Sequence, residues 1–136
     1  MSILSGYLQP VPTNETKDVY LPRFKDEAGK PLPFTIRKIT QELANSLRKK
    51  CETTKKVSGQ VISQIDNAKY SNELIIACLV NPNLKEKEIC DYYGVIDPAD
   101  VPGRMFSIGE YGKLADAIME FNDLDDEEGI AEQAKN

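Results

Sequence analysis

The sequence predicts an α+β fold, mainly α-helical, in which an N-terminal β-hairpin packs with about four helices. Three observations predict it. Two β-leaning runs, Asp18 to Phe24 and Leu32 to Ile39, flank a segment rich in turn residues. Apolar residues then recur at helical spacing from residue 40 to residue 121, and residues suited to capping stand at the ends of those periodic segments.

Residues 1–16 read as an extended N-terminal arm, because Pro10 and Pro12 lack a backbone donor and fix φ. Its apolar side chains are Ile3, Leu4, Tyr7 and Leu8. A single globular domain over 17–122 follows. Its hairpin spans 18–39, with turn chemistry from Asp26 and Gly29. Phe34 and Ile36 alternate with Thr35 and Arg37 to give one apolar face, and Pro22 confines the first strand to an edge.

Thr40 is suited to cap a helix over about 40–53, in which Leu43, Leu47 and Cys51 recur every four residues. Arg48, Lys49 and Lys50 oppose the negative end of its dipole. From Thr53 to Ser63 the periodicity is lost, and Ser58-Gly59 suggests a loop or short strand. A second helix over 67–80 shares Tyr70, Leu74, Ala77 and Cys78 on one face. Ile75, Ile76 and Leu79 widen that face, so this helix should be central.

Asn81-Pro82-Asn83 stops it, and a shorter helix over 84–93 ends at Gly94, which suits a left-handed C-terminal cap. Pro98, Pro102 and Gly103 break the connection over 95–105, whose structure the pattern leaves open. In the last helix, over 107–122, Ser107 and Glu110 match a capping box, and Leu114, Ala115, Ile118 and Phe121 continue its apolar face. Residues 123–136, with Asp123, Asp125, Asp126, Glu127 and Glu128, have too little apolar surface to offset ordering entropy and should form a flexible acidic tail.

Composition bounds the function. Hydrophobic residues are 40% and charged residues 29% of the 136, an ordinary globular balance. No apolar run approaches the roughly 20 residues of a membrane span, and the N-terminus lacks the pattern of a secretory signal. Three cysteines cannot all pair within one chain, which suits a reducing cytoplasm. The net charge of −5 is uneven: residues 1–60 hold eleven Lys or Arg against six Asp or Glu, whereas the rest hold six against sixteen.

Histidine is absent, and with it the commonest proton shuttle and metal ligand. No glycine-rich phosphate loop, nucleophile elbow or Cys-x-x-Cys pair occurs, so no catalytic, metal or cofactor residue is assigned and no enzyme is expected. Glu86, Glu88 and Asp91 read as a wet helix face shared with Lys85 and Lys87. Arg48, Lys49 and Lys50 with Lys55 and Lys56 form the one nucleic-acid-like feature, and without interleaved aromatics they read as solvated cations. Tyr70, Tyr92, Tyr93 and Tyr111 read as core-edge residues on the apolar sides of their helices.

The order of residues in the second half carries a family resemblance. Tyr70 with Leu74 to Val80, then Asn81-Pro82-Asn83-Leu84, Tyr92-Tyr93-Gly94-Val95, Met105 and Gly109-Glu110-Tyr111 with Leu114 resembles the XkdN-like phage tail assembly chaperones. The first half agrees in outline through Arg23-Phe24-Lys25-Asp26-Glu27 and Leu47-Arg48-Lys49-Lys50-Cys51. The resemblance implies a chaperone in the bacterial cytoplasm that binds the tape-measure protein and is absent from the finished particle. Other tail proteins and further copies of the chain are additional candidate partners, and no small molecule, membrane or cofactor is implied.

Ile3, Leu4, Tyr7 and Leu8 of the arm, together with Asp123, Asp125, Asp126, Glu127 and Glu128, are the candidate partner-binding residues. The alternatives are a structural tail-completion or connector subunit and a nucleic-acid-binding regulator.

Overall fold

β1 (Thr16–Lys25) and β2 (Pro31–Arg37) run antiparallel, turned by Asp26, whose Oδ1 accepts from the Ala28 and Lys30 amides at 2.9 and 2.8 Å. Gly29 holds φ +82°, a left-handed conformation that glycine adopts without steric penalty. β1 is an edge strand, and Pro22 falls where its register with β2 shifts, between Tyr20 and Lys25. Val19, Leu21, Phe34 and Ile36 point from this sheet into the core. The computed structural model describes residues 3–124.

α1 (Gln41–Lys50) starts at Thr40, whose side chain accepts from the Leu43 amide at 3.2 Å. It ends at Lys50, because the carbonyl of the buried Cys51 accepts from the Asp66 amide at 2.9 Å and opens a second sheet. β3 (Glu52–Val57) and β4 (Gln60–Ile65) form that sheet as an unbroken antiparallel ladder, turned by Ser58 and Gly59 at φ 51° and 80°. Positive φ at both central residues is the tight turn that matches strand twist in two-residue hairpins. α2 (Asn67–Cys78), capped by Asp66, buries Ile75, Ile76 and Cys78, then gives way to β5 (Leu79–Asn81), which pairs antiparallel with β2.

α3 (Lys87–Tyr93) ends at Gly94 with φ 68°, and α4 (Val101–Met105) follows a 3-10 turn at Pro98–Asp100. α5 (Ile108–Phe121) carries the full capping box, with Ser107 Oγ accepting from the Glu110 amide and Glu110 Oε1 accepting from the Ser107 amide. Beyond it Asp123 adopts φ 62°. The amides of Asp123 and Leu124 donate to the Glu120 and Met119 carbonyls at 3.1 and 2.8 Å, a Schellman-type stop.

The three-stranded sheet lays its apolar face on α2 and α5, which supply Ile75, Cys78, Leu114 and Ile118 to one core. Leu84, Val101, Met105 and Phe106 close that core at the α3–α4 end.

The fold departs from the mainly helical architecture expected. Among the described residues helix, with the 3-10 turns included, accounts for 46% and strand for 26%, arranged as five α-helices, two 3-10 turns and two small antiparallel sheets, so the fold is mixed α+β. Three local competitions explain the difference. The residues between α1 and α2 pair as a hairpin, the apolar run ending α2 turns into strand at Leu79, and the proline segment is helical. Pro102 lies in the first turn of α4, where its missing N–H has no intrahelical partner to lose.

The sheet is clamped to α5 by Arg23. Its guanidinium donates to Glu110 Oε2 from Nε at 2.9 Å and to Oε1 from Nη2 at 2.8 Å, and also reaches the Met105 carbonyl. Arg23 lies 4.3 Å from the Phe24 ring centroid, and Phe24, Phe34 and Phe106 meet edge to face at 5.0, 5.7 and 6.0 Å. At the opposite end Asn122 accepts from the Ile39 amide at 2.9 Å and donates to the Arg37 and Ile118 carbonyls.

Leu114→Ala, at a fully buried position, is expected to lower unfolding free energy by about 2–5 kcal/mol, read from urea denaturation. The Arg23 guanidinium and the Ser107 amide hold the Glu110 carboxyl down from its ordinary 4.5 to about 2. The unfolded chain therefore binds more protons between those values, so this contribution is complete above about 4.5 and lost as pH falls through about 2. Glu110→Gln should lower Tm at neutral pH and flatten its fall across that acid window. An unchanged acid slope in the variant would refute the assignment.

Candidate interaction surface

Outside the β3–β4 hairpin, two groups of exposed apolar side chains stand out among the described residues, and neither contains a reactive group. The first is the chain start, where Ile3–Tyr7 form a 3-10 turn that buries no residue, in place of the extended arm expected from the prolines. Ile3, Leu4, Tyr7 and Leu8 are 86, 62, 78 and 69% exposed, far more than large apolar side chains within a core. The second group is Tyr92 near the end of α3, Ile96 just beyond it and Ile108 at the start of α5, each more than four-fifths exposed.

Beside Ile108 is an open groove of about 270 Å³, lined by Pro102, Gly103, Phe106, Ser107 and Tyr111. Its walls are held from behind. The Tyr111 hydroxyl donates to Asn72 Oδ1 at 2.6 Å and lies 2.8 Å from Ser71 Oγ, tying α5 to α2, while the capping box fixes Ser107. Arg104 donates to the Tyr93 and Gly94 carbonyls at 2.9 and 3.3 Å, fixing the end of α3 against α4. The groove is not legible in the sequence, because the pattern leaves residues 95–105 open and the groove needs α4. The exposed Ile108, the first residue of α5 beside a capping serine, was the available clue.

The remaining candidates have local structural roles. A polar cavity of about 370 Å³ is lined by Asp66, Asp97, Asp100, Lys69 and Asn72, but Asp66 and Asp97 accept from the Lys69 and Ala99 amides as helix caps. No group of three or more His, Cys, Asp or Glu among the described residues is arranged to hold a metal ion. Burial pushes the Cys51 thiol up and the Cys78 thiol to about 11, which keeps both protonated and weakly nucleophilic at neutral pH. Lys87 pairs with Asp91 at 3.1 Å one turn away, on a wet helix face.

Of the basic stretch, Lys50 pairs with the buried Glu73 at 3.2 Å, and Lys55 and Lys56 lie on β3. No aromatic residue occurs on β3 or β4 to serve as a base-stacking platform. Of the acidic candidates, Asp123 forms the left-handed stop of α5, and Asp125, Asp126, Glu127 and Glu128 lie outside the described residues. Ile3, Leu4 and Tyr7 thus share one short 3-10 segment, and Leu8 follows it directly. No helix among the described residues is long and apolar enough to cross a membrane.

Comparison with known proteins identifies the setting for these surfaces. YqbN of Bacillus subtilis (strain 168) is 33% identical over 96% of this chain and 92% of its own length. The phage-like element PBSX protein XkdN of the same organism is 29% identical over 96% of this chain and 93% of its own. The crystal structure of the protein YqbN superimposes with a TM-score of 0.62 at 26% identity, covering 79% of this chain and 86% of that one. A family model described as phage XkdN-like tail assembly chaperone protein matches residues 7–135. With that match spanning well over half of the sequence, the chain belongs to the XkdN-like phage tail assembly chaperone family.

Proposed function

We propose that this chain is a tail assembly chaperone that binds the tape-measure protein in the host cytoplasm during tail morphogenesis and is absent from the mature virion. The observation that carries the reading is the family match over residues 7–135. The family is one of chaperones and not an enzyme class, and the exposed apolar side chains suit a binding protein. Exposed Ile3, Tyr7 and Leu8 at the chain start, and Ile108 beside its groove, offer apolar surface to a client.

A long helical client presents apolar stripes that aggregate unless covered, and an amphipathic helix can lay such a stripe in a groove. Ile3, Leu4, Tyr7 and Leu8 are assigned to that contact, and the acidic residues Asp123, Asp125, Asp126, Glu127 and Glu128 to a weaker electrostatic one. At physiological salt a contact of that second kind is short-ranged, screened over about 8 Å, so the apolar contact dominates the affinity.

Co-expression with the tape-measure protein of the same genome tests this. Soluble tape-measure protein should rise when the chain is present and the two should co-purify. Combined Ile3→Ser, Tyr7→Ser and Leu8→Ser substitutions should weaken co-purification at least about tenfold, the equivalent of 1.4 kcal/mol. Mass spectrometry of purified particles should find no copy of the chain. Stoichiometric copies in the particle would instead mark a connector or completion subunit, and equal tape-measure solubility with and without the chain would end the proposal.

A further inference from the structure

The β3–β4 hairpin stands apart from the core. No residue of either strand is buried, and Val57, Val61 and Ile62 are 41, 70 and 40% exposed. Its base is fixed by the bond from the Asp66 amide to the Cys51 carbonyl. A two-stranded ribbon alone is marginally stable in water, so one this long and regular invites a further strand.

Its two outer edges differ. In a hairpin closed by a two-residue turn the flanking pair, here Val57 and Gln60, is hydrogen-bonded, and such pairs alternate along the ladder. Gln60, Ile62 and Gln64 therefore aim their backbone groups at β3, while Val61, Ser63 and Ile65 aim theirs outward. β3 carries Glu52, Lys55 and Lys56, the kind of charges that keep an exposed edge from pairing. β4, Gln-Val-Ile-Ser-Gln-Ile, has no charge and no proline.

We propose that the outer edge of β4 pairs antiparallel with β4 of a second copy of this chain, about a two-fold axis through Ser63. In that register Val61 faces the second copy's Ile65, Ser63 faces its counterpart, and Ile65 faces the second copy's Val61. All three outward-facing positions are then hydrogen-bonded, with an apolar pair at each end and two hydroxyls at the centre. Adding the observed pairs Lys56 with Val61 and Glu52 with Ile65 extends each row across four strands. One row reads Lys56, Val61, then Ile65 and Glu52 of the second copy, and the opposite row is its mirror by symmetry.

Each row thus keeps its apolar pair at the centre of the sheet and its charges on the outer strands, where they stay solvated. The outer strands of the four-stranded sheet are both the charged β3, so assembly closes at two and does not continue as a filament. This inference does not depend on the client proposed above.

Sedimentation equilibrium of the full chain from micromolar to millimolar concentration should show a mass rising from 15.2 kDa toward twice that value. Val61→Lys should weaken association at least about tenfold with an unchanged circular dichroism spectrum. Adding Ile65→Glu to it should restore association, because an ammonium then meets a carboxylate at both ends of the interface.

Ser63→Cys provides a second readout should the charged variants misfold. Hydrogen-bonded partners lie about 5.5 Å apart at Cα, within disulfide reach, so oxidised glutathione should link two copies through this position. The native Cys51, Cys78 and Cys90 are buried. A wild-type mass fixed at 15.2 kDa, undiminished association of Val61→Lys, or no linked pair from Ser63→Cys would each overturn the proposal. So would β4 amides that gain exchange protection only when the tape-measure protein is added to a monomeric chain.

Discussion

The carboxylate of Glu110 is the constraint on which the arrangement of sheet and helices depends. It closes the capping box of α5 through the Ser107 amide and takes both prongs of the Arg23 guanidinium, 87 residues away in sequence. One acidic side chain therefore decides where α5 begins and how β1 lies across it. The fixed fork of arginine suits this role better than a lysine point charge, because two parallel hydrogen bonds set orientation as well as distance. Arg23 in turn covers Phe24, so the ionic clamp and the three-phenylalanine cluster lock the same corner.

That corner also organises the outside of the molecule. The Met105 carbonyl accepts from Arg23, Phe106 belongs to the aromatic cluster, and Ser107 is the cap. The chain is thus immobilised over the residues that lead into Ile108 and the groove. A surface offered to a partner gains when its walls are ordered beforehand, since ordering entropy is then not charged against binding. Tyr111 performs the same service from the far side of the groove through Ser71 and Asn72.

Locally encoded features were legible in the sequence, and those set by distant partners were not. The Thr40 cap, the Gly94 stop and the Ser107–Glu110 box are written within a few residues of one another, and each forms. The partner of Glu110 could not be read, since nothing around Arg23 singles out a helix 87 residues later.

The β3–β4 ladder was hidden for a different reason. Both faces of the hairpin are wet, so Thr53-Thr54-Lys55-Lys56 shows no alternation of apolar and polar residues. Proline breaks a helix interior but fits a first turn, so Pro102 alone does not reveal α4, and the run ending α2 is too short and apolar to separate helix from strand. Of the candidate partner residues, Ile3, Leu4, Tyr7 and Leu8 were visible as apolar side chains with no periodic segment to bury them. The groove needed α4, and so needed the fold.

The closed base of the hairpin has a consequence for how such a domain can diversify. Because Cys51 and Asp66 are already joined by a backbone bond, residues 52–65 enter and leave the body at nearly one point. The entropy of bringing those ends together grows only logarithmically with the length between them. Lengthening, shortening or exchanging this ribbon therefore disturbs the α1–α2 junction little, and it can change its reach while the body that carries it stays the same.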